Sequence, residues 1–106
     1  MDTKNYGSIL AVDDDPVIRN FISLLLNKHG YSVIACESAT EAMEKLQANK
    51  IDAVLTDIVM PVISGTELLE KIRNTNPDVP VILMTGYADL DTAVDAIKKG
   101  VFDFII

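Results

Sequence analysis

Four aspartates and one threonine carry whatever chemistry this sequence holds. Asp13, Asp14 and Asp15 follow the apolar run Ile9–Val12, Asp57 follows Ala53–Thr56, and Thr85 follows Val79–Met84. If those runs are parallel strands, their carboxyl ends bring the groups to one edge, where open α/β sheets bind ligands. Carboxylates gathered in that way raise one another's pKa unless a cation intervenes, and an oxygen-only donor set suits Mg²⁺. A carboxylate neutralised by a metal can attack a phosphoryl group and form an acyl phosphate. Thr85 could then hydrogen-bond the phosphoryl oxygens. Asp15 stands directly before Pro16, which assigns it to a helix N-cap with proline at the first helical position. Asp13, Asp14 and Asp57 are left as the candidates for a common site. The plainer explanation, aspartates decorating turns, would need three of them to reach one sheet edge by coincidence.

The elements that must position these groups follow from the period of the apolar residues. Short β-branched runs at Ile9–Val12, Ser32–Cys36, Ala53–Thr56, Val79–Met84 and Phe102–Ile106 alternate with stretches whose apolar residues recur at three and four. Several of the short runs are continuously apolar, as parallel strands covered on both faces require. Five strands and four helices are expected, forming an open, doubly wound parallel sheet with right-handed crossovers.

Helix ends are marked locally. Asp15-Pro16 opens the first helix and Gly30 is placed to close it, with Val17, Ile18, Phe21, Ile22 and Leu25 as its expected buried stripe. Ser38 with Glu41, and Ser64 with Glu67, match capping boxes. A last helix opens among Asp89 and Asp91 and closes with Lys98, Lys99 and Gly100, matching the helix dipole at both ends. Asn76-Pro77-Asp78 reads as a turn. His29, beside Lys28 at the end of the first helix, is expected to face solvent.

The totals narrow the function classes. A chain of 106 residues fits one domain, 1–106, with no repeat, linker or low-complexity segment. A hydrophobic share of 49% against 24% charged residues is that of a folded globular chain. A net charge of −7 and a pI near 4.4 oppose direct nucleic-acid binding and anionic membrane surfaces. The lone Cys36 has no disulfide partner and reads as a small core residue ending a strand. With no leader and no apolar run of spanning length, a cytoplasmic setting is expected.

At these residues the chain resembles the receiver domain of two-component response regulators. "ILAVDDDPVIR" is similar to the family's first strand with its acidic pair, Asp13 and Asp14, and "TDIVMPVISGTELL" to the loop after its phosphoacceptor. Within that loop Asp57, Met60-Pro61, Gly65 and Leu68 match position by position. "VPVILMTGYAD" resembles the strand with the switch hydroxyl, and "AIKKGVFDFI" the segment with the switch aromatic, which places those roles on Thr85 and Phe104.

The resemblance implies a flavodoxin-like strand order, 2-1-3-4-5, and a signalling switch that is not an enzyme. Asp57 would take a phosphoryl group from a sensor histidine kinase or a histidine phosphotransfer protein. Asp14, Asp57 and the Val59 carbonyl would ligate Mg²⁺ directly, with Asp13 acting through water. Thr85 and Phe104 would relay the change to the surface of the fourth helix and fifth strand, for an output domain or a homodimer partner to read. The family also places a lysine and a fifth C-terminal helix after the fifth strand. The sequence stops at Ile106, before both, so a truncated domain with weak phosphorylation or switching is expected. Val59 and Tyr87 stand where the family governs water access, and their bulk predicts a longer-lived aspartyl phosphate.

Two other classes compete. "ILAVDDD" and "VILMT" also resemble haloacid-dehalogenase-like phosphatases, with Asp13 as nucleophile and Asp15 as acid/base, but a proline follows Asp15 and the matches around Asp57 go unexplained. A non-phosphorylated interaction module with the same fold is opposed by the intact Asp13, Asp14, Asp57 and Thr85. Nucleotide binding lacks a glycine-rich phosphate loop.

Overall fold

The computed structural model describes residues 6–57, 64–84 and the backbone of 103–105. Within them the chain alternates as its apolar periods predict: β1 Ser8–Val12, α1 Pro16–Lys28, β2 Ser32–Cys36, α2 Ala39–Ala48, β3 Ala53–Asp57, α3 Gly65–Thr75, β4 Val81–Met84 and β5 Asp103–Ile105. The strands form one sheet in the order β2-β1-β3-β4-β5, with every pair parallel. The fold is the expected flavodoxin-like doubly wound one. The last expected helix, from Asp89 to Gly100, lies outside the described residues.

The helix ends form for the reasons read from the sequence. Asp15 accepts the Val17 amide at 2.9 Å and Pro16 opens α1, while Gly30, with φ of +93°, makes the left-handed turn after it. Ser38 and Ser64 accept the Glu41 and Glu67 amides, each at 3.2 Å. The first box differs in its return contact. Glu41 reaches the Glu37 amide at 3.1 Å, one residue before the cap, so its carboxylate ties down the exit of β2.

β4 begins two residues later than the apolar run suggested. Pro80 has no amide to give a ladder, and Val79 is spent on the preceding turn, its amide on Asn76 and its carbonyl on Arg73. Pairing starts at Val81, where the register sets Val81 beside Val54. β3 runs one residue further than expected, so Asp57 itself pairs with Met84.

The main core lies between the sheet and helices α2 and α3. Leu10 and Val12 of β1, Val54 of β3, and Val81 and Leu83 of β4 meet Ala42, Leu46, Leu68, Leu69 and Ile72. Cys36 is fully buried in the same cluster, as a strand-end core residue should be. Each valine, leucine and isoleucine among them contributes about 1.5–3 kcal/mol when withdrawn from water.

Helix α1 corrects the expected stripe. Of Val17, Ile18, Phe21, Ile22 and Leu25, only Ile22 is buried, while Val17 is 72% and Phe21 63% exposed. Leu24, not in that stripe, is also 63% exposed. The face nearer β1 and β2 carries Arg19, Ile22, Ser23 and Leu26. A helix apolar around most of its circumference gives no period that chooses one side, and the sheet can cover only one.

Candidate functional site

The site lies where β1 and β3 end side by side. Val12 pairs with Thr56, so the next residues, Asp13 and Asp57, emerge from the sheet together. One carboxylate oxygen from each of Asp13, Asp14 and Asp57 lies within 4.8 Å of the others. Opposite oxygens of an octahedral Mg²⁺ shell at about 2.1 Å stand roughly 4.2 Å apart. The three oxygens lie close enough together to share one such ion, and all the donors are oxygens, which hard cations prefer.

The members differ in environment. Asp13 is buried, Asp57 half-buried and Asp14 exposed, so the cluster opens to solvent on the Asp14 side. Burial is the main cause that pushes the Asp13 carboxyl above its usual range, and the Asp14 and Asp15 charges add to it. The Asp15 amide, donating to Asp13 Oδ1 at 2.9 Å, and the Arg19 charge oppose the rise. A cation at the cluster would relieve the repulsion that these groups otherwise bear.

The backbone around the acids is held by named contacts. The Asp13 amide donates to the Cys36 carbonyl at 3.1 Å, and the Asp13 carbonyl accepts from Arg19 Nη1 at 2.9 Å. On β3, the buried Thr56 hydroxyl donates to the Asp57 carbonyl at 3.0 Å. Neither Arg19 nor Thr56 stood out in the sequence. A cation four residues after an acidic triplet was the available signal for Arg19, since it falls one helical turn after the cap at Asp15. Asp15 does not join the cluster of three. Its carboxylate is occupied at the start of α1, which leaves the phosphatase reading without its acid/base.

A family model described as the response regulator receiver domain matches residues 9–106. The chain belongs to that family.

The chain is also similar to curated transcriptional regulatory proteins. It is 41% identical over 98 residues to the transcriptional regulatory protein ZraR of Klebsiella oxytoca, covering 92% of this chain and 22% of that protein. It is 41% identical over 98 residues to the C4-dicarboxylate transport transcriptional regulatory protein DctD of Rhizobium meliloti, covering 92% and 21% respectively. The chain thus spans about a fifth of the length of the curated relatives it matches.

Solved receiver structures give the same picture. A response regulator receiver domain protein from Clostridium thermocellum superposes with a TM-score of 0.88 at 38% identity, over 93% of this chain and 80% of that one. The chemotaxis protein CheY4 of Vibrio cholerae gives 0.91 at 26% identity, over 94% and 85%. Receiver domains are signalling modules of two-component systems rather than catalytic enzymes. Among the described residues, no helix is long and apolar enough to cross a membrane.

Of the expected site residues, the receiver domain brings Asp13, Asp14 and Asp57 together. Val59, Thr85 and Tyr87 lie outside the described residues. Phe104 falls in β5, where the backbone pairs with Leu83. His29 is exposed at the end of α1, as expected of a residue with no part in the site.

Proposed function

We propose that Asp57 is the phosphoacceptor of this receiver domain and takes its phosphoryl group from the phosphohistidine of a sensor kinase or phosphotransfer protein. The convergence of three carboxylates at the ends of β1 and β3 carries this reading. An Asp57 oxygen attacks phosphorus in line, the phosphorus–nitrogen bond breaks, and the departing imidazole keeps the electron pair. A carboxylate needs no general base, so positioning and charge compensation make up most of the protein's task. Asp13, Asp14 and Asp57, with the Val59 carbonyl, would hold Mg²⁺. When bound, the ion supplies positive charge against the repulsion between carboxylate and phosphoryl oxygens.

The rest of the chain orients and reports. Thr56 and the β3–β4 ladder fix the Asp57 backbone from two sides, which limits the directions its carboxylate can take. Thr85, following β4, moves toward the new dianion, and Phe104 of β5 fills the space released, changing the surface around the fourth helix and β5. Val59 and Tyr87 shield the acyl phosphate from water and lengthen its life. The setting is cytoplasmic, and the surface that switches meets an output domain or a second copy.

The test is incubation with acetyl phosphate and Mg²⁺, followed by peptide mapping by mass spectrometry. One phosphoryl adduct at Asp57, lost in Asp57→Asn and on omission of Mg²⁺, is expected. An adduct at Asp13, or none at saturating donor, would overturn the proposal.

A further inference from the structure

The acidic turn between β1 and α1 has an anchor that the phosphoacceptor chemistry does not itself require. Arg19 reaches back from the second turn of α1, and its Nη1 donates to the Asp13 carbonyl at 2.9 Å. A guanidinium so near a cation site works against cation binding by charge alone. Its presence there therefore points to geometry.

That carbonyl begins the peptide leading to Asp14, so its orientation limits the directions open to the Asp14 side chain. The other ends of the turn are already tied. The Asp13 amide is held by Cys36, the Asp15 amide by Asp13 Oδ1, and the Arg19 amide by the Asp15 carbonyl at 3.0 Å. Asp14 is exposed and sits between these ties. Three consecutive carboxylates repel, and a turn free to rotate about the Asp13–Asp14 peptide would turn Asp14 away from Asp57. The Arg19 bond opposes that rotation. Arg19 is only partly exposed, on the face of α1 nearer the sheet, so its stem is restrained with the helix.

We propose that Arg19 is a positioning residue for the acidic cluster: it holds the Asp13 carbonyl so that Asp14 faces Asp57, and it raises cation affinity despite its own positive charge. The inference rests on reading Asp13, Asp14 and Asp57 as a Mg²⁺ site.

The two effects of Arg19 have opposite signs, which makes the test decisive. Mg²⁺ affinity is measured by calorimetry for the wild type, Arg19→Met and Arg19→Lys. Arg19→Met keeps the stem and removes donor and charge. Arg19→Lys keeps a charged donor on a flexible stem. Loss of an outer contact of this kind weakens metal sites by about 10–100-fold. Arg19→Met is expected to fall about tenfold or more, and Arg19→Lys to recover most of the loss.

A second readout needs no metal. Amide hydrogen exchange at Asp15, whose amide is bonded to Asp13 Oδ1, should accelerate in Arg19→Met and return toward wild type in Arg19→Lys, while the Val54 amide, bonded to Pro80, stays protected in all three. Wild-type or tighter Mg²⁺ binding by Arg19→Met overturns the inference, because charge alone would then be at work. A wild-type chain that binds no Mg²⁺ overturns the metal reading and this inference together.

Discussion

Single side chains at the ends of β1 and β2 set how the site and its surroundings respond to pH. The Cys36 thiol is pushed from 9.0 up to about 12, mainly by burial and next by the Glu41 carboxylate. A group harder to ionise when folded adds stability that is fully present below its unfolded value and lost as the pH rises through its folded one. The Cys36 contribution should therefore disappear between pH 9.0 and about 12. Urea unfolding across that window should show the wild type losing stability more steeply than Cys36→Ala, by on the order of a few kcal/mol in total. Parallel curves for the two proteins would show that the thiol ionises freely in the folded state. Asp13 has the same sign for the same leading cause, burial, so in metal-free protein its ionisation works against folding as the pH rises above 3.8. The buried residue of the acidic cluster is thus one that a cation can relieve.

Elements show which parts of the fold are written locally. In α1, Ile22→Ala should cost about 2–4 kcal/mol of unfolding free energy by emptying a buried site, whereas Leu24→Ser, exposed to 63%, should stay within about 0.5 kcal/mol. Equal losses would mean that α1 also covers the side carrying Leu24, contrary to its exposure. The strand runs, the Asp15-Pro16 start and the two serine caps were legible because each depends on near neighbours. The meeting of Asp13, Asp14 and Asp57 was legible at one remove, since parallel strands deliver whatever follows them to a common edge. Three features were not. The orientation of α1 was hidden because Val17, Phe21 and Leu24 are as apolar as Ile22, so nothing in the period singles out the covered face. The reach of Glu41 to the Glu37 amide depends on how β2 enters α2, and the bond from Arg19 to the Asp13 carbonyl joins a side chain to a backbone atom. Neither kind of contact leaves a periodic trace.

At the scale of the whole molecule, a chain carrying a net charge of −7 places three carboxylates against one another, so a cation bound among them would be thermodynamically linked to the fold. Mg²⁺ at about ten times its dissociation constant should stabilise the chain by about 1.4 kcal/mol. For a domain of this size that raises the melting temperature by roughly 5–10 °C. Differential scanning fluorimetry should show the shift reversed by EDTA and absent in Asp14→Asn, and no shift in the wild type would count against the metal site. The parallel neighbours of β1 add an order in time. β1 is made before either of its partners, since β2 and β3 both come later in the chain, and β3 ends in Asp57. During synthesis the Asp13-Asp14 pair leaves the ribosome before Asp57 does. A nascent chain halted within α2 has the helix, the cap and the acidic turn encoded but no Asp57, so the three carboxylates meet only once β3 has emerged and taken its place beside β1.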